Sequence, residues 1–260
     1  MSEIRRGEAA ASEAEIAVHW KEEERVYAPA KFISQANLTD AEVTARFSEK
    51  NFPECFKEYA DMLSWDQNWH TTLDATNPPF WKWFVGGKLN ACRNCVDRHL
   101  AKYKNKAAVI FVPESESEPH VVITYQELYA RVNEMAALLR DFVELKAGDR
   151  VTLHMPMIPE LPITMLACAR LGIIHSVVFG GFSGEACGRR IADSGSRVLI
   201  TADAYYRNGK LIDHKANAEL ALDVAKSEGQ SVEKVLVWRR ERERNLSAAP
   251  MVKGRDYFVV

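Results

Sequence analysis

Apolar positions change their period partway along the chain, and the change divides it. Residues 1 to about 104 carry helical spacing and few strand-like runs. "LTDAEVTARF" sets Thr39 three residues before Glu42, the pattern of a capping box opening a helix. From about residue 105, short apolar runs alternate with amphipathic stretches. "AAVIFVPE" and "HVVITY" predict two strands joined through the turn-like "SESEP" as a hairpin. Thr124 and Glu127 form a second capping box. Leu128, Val132, Met135, Ala136, Leu139 and Phe142 then recur at three- and four-residue intervals, which predicts an amphipathic helix.

The alternation continues. "RVTLHMP" predicts a strand, "PELPITMLACARLG" a helix, "IIHSVVFGG" a strand, and a helix follows from Ser183. "RVLITAD" is the next strand, a helix spans about 212 to 226, and "KVLVWRR" is the last strand. Strands apolar on both faces, separated by helices, predict a parallel sheet covered on two sides. The fold class is therefore α/β: a partial doubly wound sheet over 105–260, preceded by a helical, aromatic-rich region over 1–104. If "KVLVWRR" ends the sheet, its open edge invites self-association.

Composition narrows the partners. The chain has 260 residues, 47% hydrophobic and 27% charged, and a formal net charge of -2, which gives no field favouring nucleic acid or anionic lipid. No apolar run approaches the roughly 20 residues of a membrane-spanning helix, and "MSEIRRGEAAASEAE" has no apolar signal core. The expected address is cytoplasmic and the expected partners are small molecules. Five cysteines, an odd number, suit reduced thiols. Cys92 and Cys95 form a C-x-x-C with His99 one turn on, but no second ligand pair follows, so no metal site is expected. The stretch from Trp65 to Phe84 reads as an aromatic cap packed on a neighbouring layer, with a binding groove as the alternative.

Ligands of such sheets bind beyond the carboxyl ends of the strands. Two of those ends are unusual. "VVFGGFSGE" places Gly180 and Gly181 just before Ser183, a natural N-cap. Either the glycines only permit a tight turn, or they leave bare backbone against which a planar group can lie. The string is neither G-x-G-x-x-G nor a Walker P-loop. "TADAYYRNGK" separates Arg207 from Lys210 by Asn-Gly, so that the loop can aim both cations at one anion. Each charge-assisted hydrogen bond contributes about 1.5–3 kcal/mol. A solvated loop is the bland alternative. The two ends together suit an adenine nucleotide carrying an extra phosphate.

"WFVGGKLNACRNCVDRHL", "ITYQELYARVNEMAALL", "GDRVTLHMPMIPELPITMLACARLGIIHSVVFGGFSGEACGRRI" and "ITADAYYRNGK" occur in an order that resembles AMP-forming acetyl-CoA synthetases, within the adenylate-forming acyl-CoA ligases. The resemblance implies a two-step ligase: acetate and ATP form an acyl-adenylate, and the thiol of coenzyme A then displaces AMP. It implies that the coenzyme A nucleotide lies over Phe179, Gly180 and Gly181. The matching Arg207 and Lys210 meet its 3'-phosphate region, and Ile212 lines the adenine. Lys210 replaces an arginine found in some family members, which keeps the charge and loses the bidentate fork. Cys92 and Cys187 also stand where other small residues are expected.

The family's phosphate loop, ribose-binding aspartate, carboxylate pocket and catalytic lysine lie beyond the last residue. No catalytic residue is therefore assigned here, and ATP and Mg2+ are expected only in the complete enzyme. Acetate-dependent ATP/pyrophosphate exchange by this chain is expected to be absent. Two alternatives stand beside the ligase reading: a stand-alone coenzyme A or nucleotide-binding module, and a structural piece completed by a separate polypeptide.

Overall fold

The computed structural model describes residues 27–36, 41–114, 118–241 and 244–259. The chain forms two compact units, Met1–Glu58 and Tyr59–Val260. Within the first, short helices cover Ala30–Gln35 and Ala41–Arg46, followed by single turns at Glu49–Asn51 and Glu54–Phe56. The helix expected after Thr39 is present, but Thr39 itself lies outside the described residues, as do 115–117 of the "SESEP" turn.

The second unit is built on a five-stranded sheet whose pairings are all parallel. Ahead of it stand two antiparallel pairs, β1 (Thr71–Asp74) with β2 (Lys82–Val85) and β3 (Ala107–Phe111) with β4 (Val121–Thr124). The sheet strands are β5 (Arg150–Met155), β6 (Ile174–Phe179), β7 (Val198–Ala202), β10 (Lys234–Trp238) and β11 (Asp256–Val259), in the spatial order β11-β10-β7-β5-β6. Between β7 and β10 the chain inserts β8 (Ala204–Arg207) and β9 (Lys210–Asp213), an antiparallel ribbon of its own.

Side chains of the central strands alternate between two cores. Val198, Ile200 and Leu236 join Val151 and Leu153 on one face, where helices α2 (Tyr125–Ala137) and α3 (Glu160–Leu171) pack; Cys92 of α1 (Ala91–Cys95) enters the same core. Leu199, Val235 and Val237 face the other way, onto α4 (Gly184–Ser194) and α5 (His214–Ser227). Both faces being apolar, each central strand reads as a continuous apolar run. Helices on both faces make the sheet doubly wound, as the sequence pattern predicts.

Local signals explain most helix ends. Thr124 and Glu127 form the expected capping box at the start of α2, and the Ser183 hydroxyl accepts the Ala186 N–H at 3.3 Å at the start of α4. α4 and α5 meet backbone to backbone. A Cβ on Gly184 would lie 2.6 Å from the Asn217 carbonyl oxygen, and one on Gly188 2.6 Å from that of Ala221.

Three expectations change. Phe142 leaves the buried stripe because α2 runs into a wide turn over Leu138–Phe142, in which the Val143 N–H reaches the Leu138 carbonyl. The extra residue rotates Phe142 outward, where it packs edge-on against Tyr257 at 4.8 Å. The strand in "KVLVWRR" is not the sheet's edge: β11 pairs with it along Val235–Trp238. The helix expected from about residue 212 begins at His214, since 210–213 belong to β9.

Aromatic residues of the stretch between Trp65 and Phe84 form a cluster of their own. Trp69 sits 4.9 Å from Trp65 and 5.3 Å from Phe84, centroid to centroid, on the β1–β2 pair.

Candidate functional site: a glycine strand end facing a cationic hairpin

At the carboxyl end of the sheet, β6 stops at Phe179 and the chain turns through Gly180 and Gly181 into α4. The two glycines have different reasons. A Cβ on Gly180 would lie 2.8 Å from the Met155 carbonyl oxygen, so this glycine is required by the close approach of the β5 end. A Cβ on Gly181 would meet only side-chain ends, Arg207 Nη1 and Phe179 Cε1, each at 2.6 Å. The Gly181 backbone is therefore a floor on which a cation and an aromatic ring rest.

The segment expected as a loop is a β-hairpin. Asn208 and Gly209 both have positive φ, 52° and 70°, the conformation a two-residue primed turn demands. Arg207 and Lys210 are direct cross-strand partners, as are Tyr205 and Ile212. Side chains alternate along a strand, so Arg207, Lys210, Tyr205 and Ile212 share one face of the ribbon. That face looks onto the glycine strand end: the Tyr205 hydroxyl donates to the Gly180 carbonyl at 3.2 Å. Among the described residues, neither Arg207 nor Lys210 makes an ion pair with a carboxylate.

The hairpin is held upright by two buried or part-buried carboxylates. Asp203, fully buried, accepts the N–H groups of Ala204 at 2.7 Å and Arg240 at 2.9 Å on one oxygen, and that of Leu246 at 2.9 Å on the other. Its carbonyl accepts from His214 and Lys215, both at 3.0 Å. Asp213 caps α5 through the Ala216 N–H and accepts from the Ser247 hydroxyl at 2.6 Å and the Ala248 N–H at 2.9 Å. Burial would raise the Asp213 carboxyl, but the Ser247 hydroxyl and these N–H groups outweigh it and hold the acid below its ordinary range.

Behind Tyr205 lie two stacked, fully buried imidazoles. His154 and His214 have ring centroids 4.2 Å apart, and the Tyr205 ring meets His214 edge-on at 5.1 Å. Burial pulls His154 down to about 3, with His214 adding to the effect. Burial likewise pulls His214 down to about 4, against its hydrogen bond to the His154 carbonyl at 3.0 Å.

The rim encloses a cavity of about 330 Å³, lined by Phe179, Gly180, Gly181 and Arg207 together with Phe111, Glu114, Met157 and Arg240. Of the six residues singled out in the sequence, four line it. Lys210 and Ile212 share the ribbon face without lining the cavity. Glu114 and Arg240 were not singled out. They reach the rim from the ends of β3 and β10, and no local pattern marks them. Arg240 is paired with Glu118 at 2.9 Å. Among the described residues no group of three or more metal-ligating side chains exists, and Cys92 is buried while Cys95 is exposed.

The arrangement is a doubly wound sheet with two cations, unpaired among the described residues, beyond its strand ends, where ligands of open α/β sheets bind, and comparison with known sequences gives the family. The chain belongs to the AMP-binding enzyme family, whose profile matches residues 96–256. Residues 42–95 match the acetyl-coenzyme A synthetase N-terminus. It is 45% identical over 223 residues to acetyl-coenzyme A synthetase of Wolinella succinogenes, covering 85% of this chain and 33% of that protein. It is 43% identical over 223 residues to the acetyl-coenzyme A synthetase of Pyrobaculum aerophilum, covering 82% and 32%. The 3-hydroxypropionyl-coenzyme A synthetase of Sulfurisphaera tokodaii is 46% identical over 198 residues, covering 76% and 29%. The chain spans about a third of the length of the curated relatives it matches.

Proposed function

We propose that the rim seats the nucleotide end of coenzyme A, and that the chain serves a ligase joining acetate, or a similar short carboxylate, to coenzyme A at the expense of ATP. The observation that carries this reading is the Arg207 guanidinium resting on the Gly181 backbone inside the cavity, with no carboxylate of the described residues paired to it. In this reading the adenine lies over Phe179 and the Gly180–Gly181 strand end, with Ile212 beside it. Arg207 and Lys210, cross-strand partners, converge on the 3'-phosphate. Family membership and the acetyl-coenzyme A synthetases among its relatives support the ligase part.

ATP supplies the adenylyl group in such a reaction, with Mg2+ shielding its phosphates. The described residues offer no cluster of three metal-ligating side chains, so they are given no part in holding that ion. The work assigned to them is binding and orientation at the coenzyme A end. No described helix is long and apolar enough to cross a membrane, and a cytoplasmic site of action belongs to the same proposal.

Calorimetry with coenzyme A and dephospho-coenzyme A tests the reading. The chain should bind coenzyme A about tenfold more tightly, the equivalent of roughly 1.4 kcal/mol from one charge-assisted contact. Arg207→Ala should remove most of that difference. Equal affinity of the unaltered chain for the two ligands would sink the assignment.

A further inference from the structure

The hairpin tip already holds an anion, and it belongs to the protein. In a two-residue primed turn the first and last residues pair with each other and the N–H of the third points outward, unused. Here that donor is Gly209, and its N–H is taken by Glu114 Oε1 at 2.8 Å. Glu114 comes from the chain just after β3, far away in sequence, and lines the same cavity as Arg207. It lies with Tyr206, Gly209 and Arg240 around a second, more open hollow next to it. Its companion Glu118 is occupied with the Arg240 guanidinium, whereas Glu114, among the described residues, has no cationic partner within 4.0 Å.

We infer that Glu114 is an internal competitor for the phosphate seat: its carboxylate occupies the outward N–H of the turn between Arg207 and Lys210, and an incoming phosphate must displace it or bind against its charge. The inference rests on the proposed coenzyme A reading and adds a residue that sets the strength and selectivity of that site. A neutral ligand group would leave the Glu114–Gly209 hydrogen bond intact and feel no repulsion. A phosphate gains the two cations and the freed N–H but meets a like charge. Glu114 thus holds the tip in shape before the ligand arrives and weakens the hold on the phosphate afterwards, so that a bound product can leave.

Glu114→Gln separates these two roles, because the amide oxygen still accepts from Gly209 while the charge is gone. Calorimetry at low ionic strength should show coenzyme A bound about two- to fivefold more tightly by Glu114→Gln, the scale of one exposed charge interaction. Dephospho-coenzyme A should bind both proteins equally. The gain should shrink as salt is raised, since both charges face solvent. If the unaltered chain prefers coenzyme A and Glu114→Gln binds it no more tightly, or less tightly, the competitor role is wrong and the coenzyme A reading stands. If neither protein distinguishes coenzyme A from its dephospho form, both fall.

Discussion

At the scale of single residues, Gly180 and Gly181 are adjacent and do different work. The Cβ that Gly180 lacks would strike the backbone of Met155, which cannot move aside, whereas the one Gly181 lacks would touch only mobile side-chain ends. Gly180→Ala should therefore destabilise the fold by about 1–3 kcal/mol, the usual cost of overpacking, in urea denaturation. Gly181→Ala should leave the midpoint nearly unchanged and act on ligand affinity, by pushing the Arg207 guanidinium off its floor. Equal losses of stability in both variants would show that the two positions are not distinguished in this way. Residue types were legible here: glycines at a strand end and two cations flanking Asn-Gly pointed to the rim without coordinates. Glu114 and Arg240 were not, because they arrive from β3 and β10, and nothing in their neighbours' pattern says where those strands end in space.

At the scale of elements, a quartet of two buried charges, Lys215 and Asp256, and two part-buried ones, Glu219 and Arg255, joins α5 to the start of β11. Lys215, fully buried, pairs with Asp256 at 3.0 Å and with Glu219; Arg255 reaches both acids at 2.5 Å. Burial would raise the Asp256 carboxyl, and the Arg255 and Lys215 contacts reverse that and hold it low. Asp256→Leu leaves Lys215 with half its partners in a water-free site and should destabilise the protein by about 3 kcal/mol. The double variant with Lys215→Met should regain more than half of this, and a double variant as unstable as the single one would contradict the account. β11 was not visible in the sequence for a related reason. "RDYFVV" is short, follows β10 with no helix among the described residues between them, and begins with an ion pair that looks solvated although Asp256 is buried and Arg255 partly so. The β8–β9 ribbon was missed despite its Asn-Gly, because only four residues flank the turn on each side and two cations sit at its tip. The long helices and central strands were legible, since their 3.6-residue and continuous apolar patterns run for many residues.

At the scale of the whole molecule, stability should depend on acidity through the stacked His154 and His214. Both are held neutral in the folded chain, at about 3 and about 4, whereas an unfolded chain titrates them near 6.5. The unfolded state therefore binds more protons below pH 6.5, and stability falls as pH drops through the window from 6.5 towards 4. Each histidine contributes up to about 1.4 kcal/mol per pH unit there. Half-buried His175, also lowered by burial, adds to the slope. The depressed carboxylates of Asp213 and Asp256 lose their stabilisation only below the ordinary carboxylate range, so they act at lower pH. Urea midpoints of the unaltered chain should fall steadily between pH 6.5 and 4.5, and His154→Leu should flatten the slope. A midpoint constant across that window would mean that neither ring is held neutral in the fold.

The contact between α4 and α5 has a consequence for the ligand. α4 hangs from the glycine strand end and α5 from the hairpin, so the two helices carry the opposing jaws of the cavity. Because Gly184 and Gly188 bring main chain against the carbonyls of Asn217 and Ala221, the span between the jaws is gauged by rigid peptide atoms rather than by rotatable side chains.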